Sequence, residues 1–177
     1  MFSSPKIFLL LSLSIVLVGM SERVPSALNS TSAQQEERFI AVLNGSEVSP
    51  PVNTDATGEA EFILHREQPI RLFYNVSVTG IDSNSNNVTG VHLHNGISGF
   101  NGTAIAELPI IQGYERNGIL AVGNLNGSSN FSNELSGKGE LAISSLINYI
   151  DNNTVYLDIH TIDNPNGELR GQVSRLP

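Results

Sequence analysis

Apolar and polar residues alternate with a period of two along much of the chain, and this alternation limits the fold more than any other feature. Ala60, Phe62 and Leu64 occupy every second position, and the same period continues through residues 70–79. This spacing predicts β-strands with one buried face. Further strand candidates occupy residues 38–43, 88–95, 103–110, 118–125, 154–161 and 168–176. Short strands separated by turn-rich segments such as DSNSNN and NPNG predict an all-β antiparallel sandwich or barrel.

One segment departs from the period of two. Its apolar positions recur at the spacing of one face of an α-helix, at Ile143, Leu146, Ile147 and Ile150. We therefore predict a single short helix near residues 143–151. It should cross one end of the sheet before the strand candidate at residues 154–161 begins.

The composition excludes several classes of function. The 177 residues contain no cysteine, so the chain has no disulfide, thiolate metal site or cysteine nucleophile. Any metal ion must be bound by histidine, carboxylate or carbonyl groups. Nine Lys and Arg residues against 17 Asp and Glu residues give a net charge of -8. Because nucleic-acid binding needs a basic surface, we expect no nucleic-acid partner.

The amino terminus has the order of a secretory signal. Lys6 precedes an apolar run at residues 7–20, and small residues follow in SERVPSA. The run is shorter than the roughly 20 residues that a membrane-spanning helix needs. We predict a signal peptide at residues 1–27, a flexible linker at residues 28–37 and one domain at residues 38–177. The protein is then secreted or held at the cell surface, and it would contact a membrane only through an uncleaved amino-terminal segment.

Eight Asn-x-Ser/Thr triplets agree with an extracellular location. Such triplets accept N-linked glycans when the host has the required enzymes. The alternative for each is an unmodified asparagine in a turn. The candidate positions are Asn29, Asn44, Asn75, Asn87, Asn101, Asn126, Asn130 and Asn152.

The histidines are the clearest candidates for a functional site. His92 and His94 lie two apart on a strand candidate, so alternation places both rings on one face, roughly 6.5–7 Å apart at the backbone. His160 lies on a later strand candidate, on the face that it shares with Tyr156 and Asp158 and opposite the core. If these strands meet, the three imidazoles suit one copper or zinc ion. The alternative is a set of surface or hydrogen-bonded histidines without a metal.

Three separated motifs carry a resemblance to a known family. They read, in chain order, FIAVLNGSEVSPPVNTDATGEAEF, GVHLHNGISGFNGTAIAEL and YLDIHTIDNPNGELRGQV. These motifs resemble the CHRD domain, which is named for its occurrence in chordin and is also found in bacterial and archaeal secreted proteins. The resemblance runs from about residue 38 to residue 175. The segment SEVSPPV departs from the family's usual spacing between the acidic residue, here Glu47, and the paired prolines.

The resemblance implies a fold more than an activity. CHRD domains have been likened to the immunoglobulin-like Greek-key barrel of copper/zinc superoxide dismutase, whose metal ligands also include an HxH pair on a strand. The resemblance to the CHRD family implies that His92, His94 and His160 correspond to histidines of that family. The dismutase needs more histidines for its two metal ions than the four in this chain, so the resemblance implies one copper site at most.

Further side chains are candidates for an additional ligand or for contacts that orient a ligand. They are Glu47, His65, Asp158, Glu168 and Arg170. Glu168 and Arg170 lie two apart on one strand face, and they either form an ion pair or ligand-orienting contacts, or remain a solvated pair. His65 is the only imidazole outside the three-histidine set.

Three functions remain open at this point. The first is an exported module that holds one copper or zinc ion through three histidines, for metal handling or for structure. The second is a metal-free extracellular interaction or adhesion domain with a protein partner, as chordin's binding of extracellular signalling proteins suggests. The third is a dismutase-like copper oxidoreductase, which needs an open coordination position. We favour a non-enzymatic role.

Overall fold

The computed structural model describes residues 36–81, 88–111, 118–126, 131–132, 134–135 and 139–177. The predicted signal peptide and the candidate positions Asn29, Asn87 and Asn130 lie outside these residues. The strands are β1 (Glu37–Asn44), β2 (Thr57–His65), β3 (Arg71–Thr79), β4 (Val88–Asn95), β5 (Thr103–Glu107), β6 (Gly118–Leu125), β7 (Val155–Thr161), β8 (Leu169–Gln172) and β9 (Ser174–Arg175). One helix, α1 (Glu140–Asp151), precedes β7, and a short 3-10 turn at Gly45–Glu47 follows β1.

The strands form one curled antiparallel sheet, a half-barrel. Their order is β5-β4-β7-β8-β1-β2-β3-β6, and β9 pairs with β1. The backbone N–H of Ile111 donates to the carbonyl oxygen of Leu120 over 2.9 Å, so the chain that follows β5 reaches β6 at the other end of this order. The predicted all-β antiparallel architecture with one short helix is confirmed.

The period of two decides which side chains enter the core. In the pairing of β2 with β3, Phe62 lies opposite Tyr74 and Ala60 lies opposite Val76, and all four are buried. Cross-strand neighbours share one face of a sheet, so an apolar residue at every second position lines the inside of the curl. The same core continues under β1, β4 and β7.

Helix α1 covers part of this core with the apolar stripe that the sequence predicts. Ile143, Leu146, Ile147 and Ile150 are all buried. The helix begins at Glu140, three residues before the predicted start, because the stripe marks the buried face and not the first turn. Among the described residues, no helix has the length and apolar character needed to cross a membrane.

Two strand boundaries differ from the prediction. The candidate at residues 103–110 ends at Glu107, since Pro109 has no backbone N–H to extend a strand ladder. The candidate at residues 168–176 divides at Val173, whose N–H donates to the carbonyl oxygen of Val155. As a result, β8 pairs with β7 and, at Arg170, with the end of β1, whereas β9 pairs with β1 nearer its start.

Glu37 joins three parts of the chain through a charged network. Its carboxylate accepts hydrogen bonds from Arg66 and Arg175, and Arg175 also donates to Asp151, the last residue of α1, over 2.8 Å. The hydrogen bond from Arg66 is the main reason why the pKa of Glu37 is about 2 instead of 4.5. Folding is therefore coupled to the ionisation of this carboxyl group.

We expect Glu37→Gln to lower the free energy of unfolding at neutral pH by about 1 kcal/mol, because solvent screens the exposed arginine partners. The folded pKa lies below the unfolded value, so this stabilisation is complete above about pH 4.5 and is lost as the pH falls towards about 2. Urea unfolding across that range should show the variant and the parent converging in acid. Glu59→Gln, at an exposed glutamate of β2, is the control, and a difference that does not depend on pH would contradict the assignment.

Candidate metal centre

Strand β4 presents His92 and His94 on the face opposite Val91 and Leu93. Val91 and Leu93 are fully buried in the core, whereas the two histidines are half-buried. The period of a strand is the reason for this division. The common face predicted for the two rings is therefore present, and their ring centroids lie 5.9 Å apart.

The pairing of β4 with β7 brings in the other two groups. In this antiparallel register His92 lies opposite Asp158, and Gly90 lies opposite His160. Paired residues project from the same face of a sheet, so Asp158 and His160 lie beside the β4 histidines. The ring centroid of His160 is 4.9 Å from that of His92 and 6.3 Å from that of His94. The three imidazoles thus meet at one place on the sheet.

Three imidazole rings converge around the Asp158 carboxylate. Its Oδ1 lies 3.0 Å from Nε2 of His160, 3.2 Å from Nε2 of His94 and 4.0 Å from Nδ1 of His92. One donor atom from each of the four residues lies within 4.8 Å of the others. Three imidazole nitrogens and one carboxylate oxygen are ligands for zinc and copper. The group can therefore hold a metal ion.

Backbone carbonyl groups determine which nitrogen of two rings faces this carboxylate. Nδ1 of His94 lies 3.0 Å from the carbonyl oxygen of Gly102, and Nδ1 of His160 lies 2.9 Å from that of Pro165. A carbonyl oxygen only accepts, so each Nδ1 carries a hydrogen and donates it. In a neutral ring Nε2 then has a free lone pair, as a metal ligand requires.

The Nε2 atom of His94 is buried and has no hydrogen-bond partner among the described residues. Its 3.2 Å approach to Oδ1 of Asp158 does not have the direction of a hydrogen bond. Unpartnered buried polar atoms are costly and uncommon. Lone pairs of neutral rings that face a carboxylate repel it unless a cation lies between them. A metal ion at this point would satisfy Nε2 of His94 and the carboxylate together.

The electrostatics keep Asp158 ionised. Burial raises the pKa of Asp158, but the hydrogen bond with His160 and the charge of the neighbouring rings outweigh burial, and the net pKa lies below its usual value. The same hydrogen bond raises the pKa of His160, whose Nε2 then carries a proton that a metal ion would displace. Burial, followed by the charge of His160, lowers the pKa of His92 and favours its neutral, metal-binding form. The carboxylate therefore provides the negative charge of the group.

Gly90 is part of the site and was not singled out by the sequence analysis. A Cβ atom at this position would lie 2.5 Å from Cε1 of the His92 ring, so the missing side chain provides the space that the ring occupies. The only sequence signal is a glycine inside a strand candidate, which often marks a close approach.

Gly90→Ala should lower the affinity for zinc by roughly tenfold, the scale of changes that reorient a ligand. The new methyl group collides with a side chain that can rotate away, so we expect the fold to remain. Calorimetric titration with zinc measures the affinity, and circular dichroism checks the fold. Thr89→Ala, at the exposed neighbouring position, is the control. Equal affinities for Gly90→Ala and the parent would show that the space above Gly90 does not position His92.

The outer face of β7 is covered. Alternation places Tyr156 and Asp158 on the face opposite the core, and both are nevertheless buried, with Asp158 only 6% exposed. The loop at residues 96–102 covers Tyr156, and its Gly102 N–H donates to the hydroxyl oxygen of Tyr156 over 3.0 Å. The three imidazole rings surround the carboxylate of Asp158. A sequence period cannot reveal a loop that folds over the outside of a strand.

Arg170 holds this loop in place. Its guanidinium group donates to the carbonyl oxygens of Ile97, over 3.0 Å, and Phe100, over 2.9 Å. It also lies 3.5 Å from the centroid of the Tyr156 ring, which stacks on the His94 ring at 4.8 Å. Arg170 therefore reaches a candidate ligand through both the loop and the stacked tyrosine.

Glu168 contacts the residue that follows His160 in β7. It is buried, and its two carboxylate oxygens accept hydrogen bonds from the hydroxyl groups of Thr54, over 2.9 Å, and Thr161, over 2.7 Å. Thr161 follows His160 directly in β7. In the part of the chain that the structure describes, Glu168 forms no ion pair with Arg170, and neither residue is solvated. The contacts that orient a ligand stay a prediction for both residues.

His65 and Glu47 do not join the group. His65 is exposed on β2, where its ring contacts the edge of Phe73 at 4.8 Å. Glu47 is exposed in the 3-10 turn, where its N–H donates to Oδ1 of Asn44. The fourth donor beside the three histidines is Asp158.

Five of the candidate glycosylation positions lie within the described residues. Asn75, Asn101, Asn126 and Asn152 are exposed, and Asn44 is half-buried. The Asn101 carboxamide donates to the carbonyl oxygen of Ser49 and accepts from Arg170, so it also links two loops. Exposure meets the steric requirement of a glycan, and the use of these positions stays a prediction.

These observations define an all-β protein with a three-histidine, one-carboxylate group on the outer face of a curled sheet. The family model of the CHRD domain matches residues 39–173. Because the match covers most of the sequence, the chain belongs to the CHRD domain family, and the resemblance of its three motifs is confirmed. No curated protein matches the chain significantly.

Proposed function

We propose that this CHRD domain is an exported module that binds one copper or zinc ion through His92, His94, Asp158 and His160, for metal handling or for structure. One observation carries the proposal. The Nδ1 atoms of His94 and His160 are both committed to carbonyl oxygens, so both Nε2 atoms face the Asp158 carboxylate. A purely structural cluster has no need to orient two rings in this way.

The dimensions of the group support a single ion. Four ligands that contact one tetrahedral zinc ion at about 2.1 Å lie about 3.4 Å apart. The four donor atoms lie within 4.8 Å of one another, so the widest pair has to close by about 1.4 Å to accommodate the ion. Side-chain rotation alone supplies a movement of this size. The bound ion would supply positive charge and Lewis acidity at the centre of the group.

Metal analysis of the purified chain tests the proposal. We expect about one copper or zinc ion per chain, and we expect the double variant His94→Ala, His160→Ala to lose it, because only two of four donors remain. His65→Ala is a matched control, since this histidine lies outside the group. Nitrogen hyperfine structure in the copper spin-resonance spectrum counts the coordinated rings. Metal-free parent protein that does not take up either ion would overturn the proposal.

The export part of the proposal has its support in the sequence. A signal-like segment at residues 1–27 is followed by several exposed asparagines of Asn-x-Ser/Thr triplets. Expression of the full chain in an exporting host, followed by amino-terminal sequencing of protein from the medium, tests it. A mature terminus near residue 28 is expected, and retention of the full chain inside the cells would contradict export.

A metal-free interaction domain is the second candidate, and exposed apolar residues favour it. Phe100, at 67% exposure, and Ile97 lie on the loop that covers the site. Exposed aromatic and aliphatic side chains on loops are typical of surfaces that bind a protein partner. Under this proposal Phe100→Ser abolishes partner binding, whereas the histidine double variant leaves it intact. If Phe100→Ser retains partner binding and the histidine double variant loses it, the result supports the metal module.

Dismutase-like oxidoreductase chemistry is the least supported candidate. The net charge of -8 repels an anion such as superoxide, whereas fast enzymes attract their charged substrates. Superoxide turnover by the copper-loaded chain that exceeds that of an equal concentration of the histidine double variant would revive this candidate.

A further inference from the structure

A cavity of about 300 Å³ opens beside the metal group. His92 is one of its walls, and the others are Ala104, Ala106, Glu107, Phe131 and Ser132. Its size is at the lower end of the range of small-ligand pockets. His92 is also the most exposed of the three clustered rings. The cavity and the candidate metal centre therefore share a side chain.

The sequence of β5 creates this space. In the pairing of β4 with β5, Ala104 lies opposite His94, and Glu107 lies opposite His92. The small side chains of Ala104 and Ala106 leave room that larger residues would fill. On the far side, Phe131 pairs with Ala106, and the N–H of Ser132 donates to the carbonyl oxygen of Ile105 over 2.9 Å, so this wall is fixed to β5.

The polar groups of the cavity indicate what it can bind. The Ser132 hydroxyl oxygen is buried and has no hydrogen-bond partner among the described residues. Glu107 adds an exposed carboxylate at the same cavity. Both oxygens accept an N–H, and the carboxylate repels anions, in agreement with the acidic chain. Phe131 and the two alanines provide an apolar surface for a flat ring.

We propose that the cavity binds a small neutral nitrogen heterocycle of the imidazole class beside the metal ion. Such a ring has one nitrogen lone pair for the ion, one N–H for Glu107 or Ser132, and a flat carbon body for Phe131. The inference rests on the proposed metal function, and it adds a ligand class that the metal site alone does not specify. Binding of a neutral ring would also distinguish this protein from enzymes that bind a small anion.

The test uses the copper-loaded full chain and imidazole itself. Copper content is measured first, and imidazole is then titrated while the spin-resonance and visible spectra are recorded. We expect one additional nitrogen ligand and saturable binding. Ala104→Leu fills the cavity at an exposed position, and we expect it to weaken imidazole binding at least tenfold. Because Ala104 lies opposite His94, the copper content of this variant is measured as well, and affinities are compared per bound copper ion. Val42→Leu, at an exposed residue of β1, is the matched control.

A second variant keeps the test independent of the first. Glu107→Gln leaves the cavity open but removes its charge, so the affinity for acetate relative to imidazole should rise. Equal imidazole binding by Ala104→Leu and the parent would overturn the inference, as would tighter binding of acetate than of imidazole by the parent. A chain that holds no copper would remove the proposed function and this inference together. One copper ion without an imidazole response would remove the inference alone.

Discussion

Asp158→Asn should lower the affinity for zinc or copper by about 100-fold or more, which is at or beyond the upper end of the losses seen when a group that orients a ligand is removed. The substitution keeps the size of the side chain and removes the only negative charge among the four converging donors. Oδ1 of Asp158 lies within 3.2 Å of Nε2 of His94 and Nε2 of His160, so the substitution changes the charge that faces both ring nitrogens.

Thermal unfolding with and without metal measures this effect. A ligand that binds only the folded state stabilises it in proportion to the logarithm of its affinity, so the metal-induced rise in Tm should nearly disappear in Asp158→Asn. Asp163→Asn is the matched control, because Asp163 is exposed on the loop that follows β7. A metal-induced rise in Tm that is equal in Asp158→Asn and the parent would show that the carboxylate does not bind the ion.

Arg170→Met should lower the free energy of unfolding by about 3 kcal/mol, which is unusual for a single substitution. Arg170 is only 3% exposed, and its guanidinium group satisfies two loop carbonyl oxygens and stacks on Tyr156. Methionine keeps the length of the side chain but leaves those buried oxygens without a donor. Urea unfolding measures the loss.

The same variant should weaken metal binding, which distinguishes a supporting role at the site from a purely structural one. Gly102, whose carbonyl oxygen orients His94, belongs to the loop that Arg170 holds. Arg71→Met, at an exposed arginine of β3, is the control, and we expect it to change stability by less than about 0.5 kcal/mol. If Arg170→Met behaves like Arg71→Met, the loop does not depend on this cation.

Local periodicity was sufficient to predict the strands, the buried stripe of the helix and the common face of His92 and His94. Each of these features depends on residues two to four positions apart, and the geometry of one strand or one helical turn decides it. The resemblance of three motifs added the family. These parts of the prediction needed no knowledge of which strands are neighbours.

The pairing of β4 with β7 could not be read from periodicity. These strands are far apart in the sequence, and a shift by one residue would place Asp158 and His160 on the core face. Packing of the apolar faces selects the register, which is a property of the whole sheet. His160 was therefore a candidate for the site, whereas its distance from His92 was undetermined before the strands were placed.

Loops account for the remaining differences. The sequence shows glycines in HNGISGFNG but not that Gly102 orients His94, nor that the loop covers Tyr156. The sequence alone therefore determined that His92 and His94 share one face of a strand, because alternation along a strand is a local property. The meeting of three rings around one carboxylate came from the tertiary structure, because only the packed sheet brings distant strands into register and folds loops over their outer face.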